Sequence, residues 1–338
     1  MKLYAGIDLH SNNSVIVLLN ENGDVVSRKR LSNQLPKILT MLKPYQEQLT
    51  GLVVESTYNW YWLVDGLIEA GYIVHLANTT GIQQYSGLKY SDDDSDAQWL
   101  AEMLRLDVLP EGYIYPKLQR STRDLMRKRM QLVQQQTMNL LSIQGLYARH
   151  LAQKMTANDI KHLTVEQIEH DFSMKSVALA VKSNWTVMNC LHELIIELEK
   201  SLKQELRLSP EFIKLTSIDG IGDILALTIM LETGKITRFE EVGDYASYCR
   251  CIGGARYSNG KKKGNTNHKN GNKYLAWAFT EAANFAIRYN ETIKKYYQRK
   301  LARTNKIVAI KTVAHKLARA CYYVLKDQTE FDVNRAFG

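Results

Sequence analysis

Residues 1 to about 110 alternate short apolar runs with helical patterns, and that order constrains the fold more than any other feature of the chain. LYAGIDL and SVIVLLN flank the polar turn HSNN, and ENGDVVSRKRL follows across an Asn-Gly turn, so the chain opens as a three-stranded meander. A helical pattern from Pro36 to Leu49 leads to the strand-like GLVVES. A second, NWYWLVDGLIEAG, leads to YIVHLAN, and a third helix opens within YSDDDSDAQWLAEML. The expected order is βββαβαβα.

Four carboxylates stand at telling places in that order. Asp8 and Glu55 each end an apolar run, LYAGIDLH and LTGLVVEST, while Asp93 and Asp96 lie three residues apart at a helix mouth and so share one face. Strand ends and helix mouths are where an α/β fold gathers residues from distant parts of a sequence. Position and residue type together match a ribonuclease-H-like fold, with acidic residues on the first strand, the fourth strand and a later helix. Clustered carboxylates stay ionised with a cation among them, and hard oxygen ligands suit Mg²⁺ or Mn²⁺, the ions that assist phosphodiester chemistry. For Asp93 and Asp96 alone the competing reading is helix capping. Asp8 and Glu55, at the ends of apolar strands, resist it.

Charge is consistent with a polyanionic partner. Lys+Arg number 44 against 35 Asp+Glu, a formal net charge of +9. The sequence has no apolar run of transmembrane length, and Met1 leads into a strand-like segment rather than a charged-then-apolar leader, so a cytoplasmic protein is expected. The four cysteines, Cys190, Cys249, Cys251 and Cys321, lack paired zinc-ligand spacing and read as reduced thiols.

From about Gln119 to Leu206 long helical patterns run without Gly-Pro punctuation, with apolar residues at three- and four-residue steps such as Leu191, Leu194, Ile195 and Leu198. An elongated helical hairpin or coiled coil is expected there, either pairing subunits or packed within one chain. The last region begins with FIKLTSIDGIGDILALTIMLETG, whose Gly220 and Gly222 sit between two helical patterns as in a helix-hairpin-helix turn. Such glycines let backbone N–H groups approach a phosphate at a helix N-terminus; a tight structural turn is the alternative. Then comes a basic segment with Arg256, Lys261, Lys262, Lys263, Lys269 and Lys273 and no acidic residue, rich in Gly and Asn, expected as a mobile loop. At its entrance Ser258 precedes Asn259-Gly260, where the backbone can expose Oγ amid positive charge suited to a phosphoryl oxyanion. Tyr257 is the adjacent competitor as nucleophile, and Thr266 a weaker one.

Gly6-Ile7-Asp8, Val54-Glu55-Ser56, Asp93-x-x-Asp96-Ala97, the turn from Ile218 to Gly222, and Arg256-x-Ser258-Asn259-Gly260 together resemble the DEDD transposases of the insertion-sequence-110 family, relatives of the pilin-gene DNA invertases. The resemblance implies a RuvC-like α/β domain over 1–112, a helical coiled-coil linker over 113–206 and a mainly α transposase domain over 207–338. It implies that Asp8, Glu55, Asp93 and Asp96 bind Mg²⁺, with Mn²⁺ as a substitute, and that Ser258 forms a covalent phosphoserine link to DNA. It further implies double-stranded donor and target DNA, a structured bridge RNA as guide, and homodimers assembling to tetramers in a bacterial, nucleoid-associated setting. Two departures stand out. Ser91-Asp92-Asp93-Asp94-Ser95-Asp96-Ala97 replaces the usual Lys-Thr-Asp-x-x-Asp-Ala, leaving Asp92 as an alternative to Asp93, and Ser-Asn-Gly replaces Ser-Gly. A DNA invertase, or a RuvC-like nuclease that activates water, is the alternative reading.

Overall fold

The computed structural model describes residues 1–82, 93–206, 209–265 and 270–338, and of residues 93, 94, 205, 206, 255–257, 262 and 265 the backbone alone. The chain divides into two units, 1–117 and 118–338, described in turn.

In the first unit the meander is β1 (Leu3–Leu9), β2 (Asn13–Asn20) and β3 (Val25–Ser32), followed by α1 (Leu35–Leu42), β4 (Leu49–Glu55), α2 (Tyr61–Glu69) and β5 (Val74–Ala77). A single turn, α3 (Thr79–Ile82), then α4 (Asp93–Arg105) and the two-residue β6 (Glu111–Gly112) complete it. The sheet order is β3-β2-β1-β4-β5-β6, with β1, β4 and β5 parallel and the remaining pairs antiparallel. This is the expected βββαβαβα order with one short edge strand added, consistent with a ribonuclease-H-like domain. The first helix stops earlier than expected: Pro44 falls in a 3-10 turn after Leu42, and Leu49 belongs to β4.

Alternation along the strands gives the sheet two faces. Ile7, Ile16, Leu18, Leu52 and Val54 pack under α1 and α2 on one side. Val15, Val17 and Leu19 pack against Ala97 and Ala101 of α4 on the other, with Val53 and Ala77 against Leu100. Gly6 lies on the α4 side, where a β-carbon would stand 2.0 Å from the Ala97 carbonyl oxygen and 2.7 Å from the Ala101 amide nitrogen. Only glycine lets the helix approach that closely.

The second unit begins with α5 (Lys117–Leu151), followed by the short helices α6 (Ala157–Lys161) and α7 (Val165–Asp171) and by α8 (Lys175–Leu206). The two long helices pack together within one chain through Leu132, Leu191 and Ile195, and through a second apolar cluster of Ile143, Tyr147, Val181 and Met188 that also covers α6 and α7. Beyond them lie α9 (Pro210–Thr216), α10 (Asp223–Thr233), α11 (Val242–Tyr248), the hairpin β7 (Ala255–Ser258) and β8 (Lys261–Asn265), α12 (Lys273–Tyr289), α13 (Glu291–Leu301), α14 (Lys306–Lys326) and α15 (Val333–Phe337). Ala226, Ile229, Phe279, Ala282, Leu317 and Cys321 form the centre of their shared core. All four cysteines are free thiols. Among the described residues no helix is long and apolar enough to cross a membrane.

Two glycine substitutions test the packing in opposite directions. Gly6→Ala should destabilise the first unit by about 3 kcal/mol, the upper range of overpacking costs. Gly145→Ala in α5, where nothing lies within 4 Å of the added carbon, should stabilise by up to about 1 kcal/mol through helix propensity. Urea unfolding of each variant against the parent measures both.

Candidate active site

The parallel register of β1 with β4 pairs Ile7 with Val54, so Asp8 and Glu55 occupy equivalent places one residue further along each strand. Asp8 alternates with Gly6 and Glu55 with Val53, which puts both carboxylates on the α4 face. Asp8 is 3 % exposed and Glu55 is half-buried. Helix α4 begins at Asp93, one turn before the Ala97 that packs on Gly6, and Asp96 is half-buried in its first turn. The fold thus brings the strand ends bearing Asp8 and Glu55 and the mouth of α4 to one end of one face. The side chain of Asp93 and the whole of Asp92 lie outside the described residues.

Sequence reasoning missed the residues that shape this end. His10 Nε2 stands 3.4 Å from Asp8 Oδ2. The His10 carbonyl accepts hydrogen bonds from Asn33 Nδ2 at 2.9 Å and Asn59 Nδ2 at 3.1 Å. Ser14 Oγ donates to Asn33 Oδ1, and Thr57 Oγ1 to Asn59 Oδ1. Strand ends from β1, β3 and β4 are therefore tied to one carbonyl, two residues from Asp8. The signal for His10 was its period of two from Asp8; Asn33 and Asn59 carried none, since each lies in a different loop.

The donor set fits a hard divalent cation in type: carboxylate oxygens, one of them buried, gathered on one face. Among the described residues no group of three His, Cys, Asp or Glu side chains is placed to hold an ion. The side chain of Asp93, the third carboxylate expected from the sequence, is not among those described.

Ser258 belongs to the second unit. The segment expected as a mobile loop is a β-hairpin over 255–265, because Asn259 (φ 51°) and Gly260 (φ 72°) make a two-residue turn whose positive φ angles match strand twist. Ser258 pairs with Lys261 across that turn, and both are exposed, as is Lys263. The side chains of Arg256, Tyr257 and Lys262, and the whole of Thr266 and Lys269, lie outside the described residues. Lys273 is exposed at the start of α12, its Nζ 5.1 Å from the centre of the Tyr274 ring.

The segment that carries the hairpin is bounded by a buried carboxylate and its partners. Glu232 of α10 is 1 % exposed and accepts hydrogen bonds from Arg127 Nε at 2.5 Å, Arg123 Nε at 3.1 Å and Asn272 Nδ2 at 2.7 Å. Asn272 also caps α12, its Oδ1 accepting from the Tyr274 and Leu275 amides, while its own amide donates to the Tyr248 carbonyl. One residue thereby joins the end of α11 to the start of α12 across the segment that carries Ser258. Burial pushes the Glu232 carboxyl up, but the Arg127 hydrogen bonds, both guanidinium charges and Asn272 outweigh it and hold the group below the ordinary glutamate value of 4.5.

Gly220 and Gly222 have different reasons. Gly220 has φ +91° and lies so close to α12 that a β-carbon would meet the Ala282 carbonyl oxygen at 2.4 Å, which accounts for it as a tight structural turn. Gly222, the N-cap of α10, faces open space.

Two family models match the chain, and both are models of transposases. Residues 5–153 match the model of DEDD transposases of the IS110 type, and residues 214–298 match the model described as Transposase IS116/IS110/IS902 family. The chain belongs to the IS110 family of DEDD transposases. No curated protein matches it.

Removing the Glu232 charge takes the shared carboxylate from the buried Arg123 and the half-buried Arg127, so Glu232→Gln should cost about 3 kcal/mol. Because the folded carboxyl is held below its unfolded value, the parent's advantage is present above about pH 4.5 and shrinks as pH falls through the folded value. Denaturant unfolding of parent and variant between neutral and acid pH measures it. A difference that does not change with pH contradicts the assignment.

Proposed function

We propose that this transposase cuts and rejoins DNA through a phosphoserine intermediate on Ser258, with a divalent cation held by Asp8, Glu55, Asp93 and Asp96. The observation that carries the reading is Ser258 itself, exposed beside Lys261 at a tight two-residue turn. Ser258 Oγ attacks phosphorus, an O–P bond forms, and the bond to the departing sugar oxygen breaks. The proton lost from Oγ is matched by the one that the sugar oxygen gains. A hydroxyl on a second strand reverses the exchange, reseals the DNA and frees the serine, so no ATP is consumed. Lys261 and Lys263 offset the charge that builds on the phosphoryl oxygens. Mg²⁺ or Mn²⁺ at the carboxylates supplies polarisation of the scissile phosphate. Inversion of a DNA segment by the same chemistry belongs to the same reading.

The functional division is the one that the sequence suggests, 1–112, 113–206 and 207–338. The paired helices α5 and α8 expose Met138, Leu141, Leu179, Leu194 and Ile196, apolar surface suited to a second copy in a coiled-coil arrangement. Dimers built this way would pair as tetramers, the serine of one subunit serving the carboxylates of another. The turn over 217–222 serves as a helix-hairpin-helix contact to the DNA backbone through Gly222, with Gly220 setting its shape. A structured bridge RNA reads the target by base pairing while the protein reads shape. RNA that copurifies with the protein and carries target-complementary sequence supports that part; nucleic-acid-free protein that is fully active refutes it.

A nicked suicide substrate separates the readings. The parent should trap a protein–DNA adduct on a denaturing gel, lost in both Ser258→Ala and Asp8→Ala. If Ser258→Ala cuts DNA as well as the parent, water is the nucleophile and the enzyme is a RuvC-like nuclease. Mg²⁺ at one hundred times its Kd should stabilise the parent by about 2.7 kcal/mol and leave Asp8→Asn unmoved. Thermal melting with and without the ion reads this independently of activity.

A further inference from the structure

Where the 214–298 match ends, α13, α14 and α15 enclose a cavity of about 420 Å³. His315, Lys316, Arg319 and Arg335 line it, with Tyr296 and Tyr323 in its walls. Arg299 and Lys300 stand over the Tyr296 ring at 5.8 and 5.5 Å, and Lys316 Nζ lies 5.0 Å from its centre. Three cations thus line one hollow and two more stand over its Tyr296 wall, and among the described residues none of the five forms an ion pair. Two carboxylates also line the cavity, Glu330 and Asp332, but Asp332 Oδ1 is occupied in capping α15 through the Asn334 and Arg335 amides. Lys316 donates to the Ala336 carbonyl at 2.6 Å, which fixes its ammonium in place. His315 Nε2 is buried with no hydrogen-bond partner among the described residues.

Cations that outnumber the carboxylates around them repel one another unless a further anion joins them, and an orphaned buried imidazole nitrogen costs stability on its own. The repulsion registers on the groups themselves. Burial and then the charges of Lys300, Arg319 and Arg299 hold Lys316 below the ordinary lysine value. Burial, Arg319 and Lys316 hold His315 below its own.

The geometry points to a phosphate-binding site in this cavity, with Lys316, Arg319 and Arg335 as charge partners and His315 Nε2 as a further hydrogen-bonding group. Planar guanidinium groups on a pre-fixed ammonium suit a tetrahedral oxyanion. The occupant is a backbone phosphate of nucleic acid, an assignment that rests on the transposase reading; free inorganic phosphate shares the chemistry. A site here would extend the nucleic-acid footprint past the serine hairpin into the last three helices.

Arg319 and Arg335 are exposed, so Arg319→Gln with Arg335→Gln should leave the fold intact, checked by the thermal midpoint. Binding of full-length protein to duplex DNA and to an RNA hairpin is measured by fluorescence anisotropy across a salt series. The double variant should weaken binding to at least one of them and flatten its plot of log affinity against log salt by about one. Inorganic phosphate is added in a third arm: if it raises the parent's thermal midpoint but not the variant's while both nucleic-acid slopes stay unchanged, the site holds the free anion. Unchanged slopes with no phosphate-dependent shift in the parent overturn the proposal. Adduct formation at saturating DNA should survive in the double variant, so failure of this site and failure of the serine mechanism give different results.

Discussion

Helix α4 crosses β1 at backbone contact distance, and the acidic face of the first unit depends on that crossing. Gly6 has no β-carbon, so the Ala97 carbonyl and Ala101 amide can lie directly over it. The first turn of α4 then falls beyond Gly6 in the direction of Asp8, two residues further along β1. Parallel register carries Glu55 to the equivalent place on β4. Small residues, glycine and two alanines, set the helix height; apolar strands on either side set its direction; the carboxylates follow from both. A cation is the natural complement of such a face, since carboxylates brought together by packing repel one another.

The second unit solves a different problem. The exposed Ser258 sits on a basic hairpin, and exposure alone would leave it on a loose loop. Two devices supply order. Asn259-Gly260 forces a tight turn at the tip, and Asn272, bonded to the buried Glu232, joins the end of α11 to the start of α12 across the segment. Glu232 also recruits Arg123 and Arg127 from the long helix α5, so α5, α10 and the start of α12 share one polar cluster. A buried charge cluster of this kind is weak evidence of extra stability, and its hydrogen bonds tie α5, α10 and α12 to one another.

Much of this was legible in the sequence where period and position coincide. Alternating apolar runs placed β1, β2, β4 and β5, and the ends of two of them placed Asp8 and Glu55. Local turn chemistry was under-read: Lys-rich, Gly-rich composition suggested mobility, whereas Asn259-Gly260 between two short paired segments is a hairpin turn in its own right. Pro44 likewise stopped a helix that periodicity would have extended to Leu49. The Glu232 cluster was out of reach, because Arg123, Glu232 and Asn272 are separated by long stretches of chain and each alone looks like an ordinary surface residue. His10 was nearer to hand, two residues past Asp8 and just beyond the end of β1. The cationic cavity of the last helices was visible only as basic amphipathic patterns, since which cations share a hollow depends on how α13, α14 and α15 pack.

The central claim is that the covalent bond to DNA is made by one particular oxygen. Trapped adduct from a suicide substrate, digested with protease and nuclease and sequenced by mass spectrometry, tests it directly. The account predicts a residual nucleotide mass on the peptide spanning the hairpin, localised by fragmentation to Ser258. A nucleotide mass on Tyr257 or Thr266, or cleaved DNA with no modified peptide at all, would contradict it.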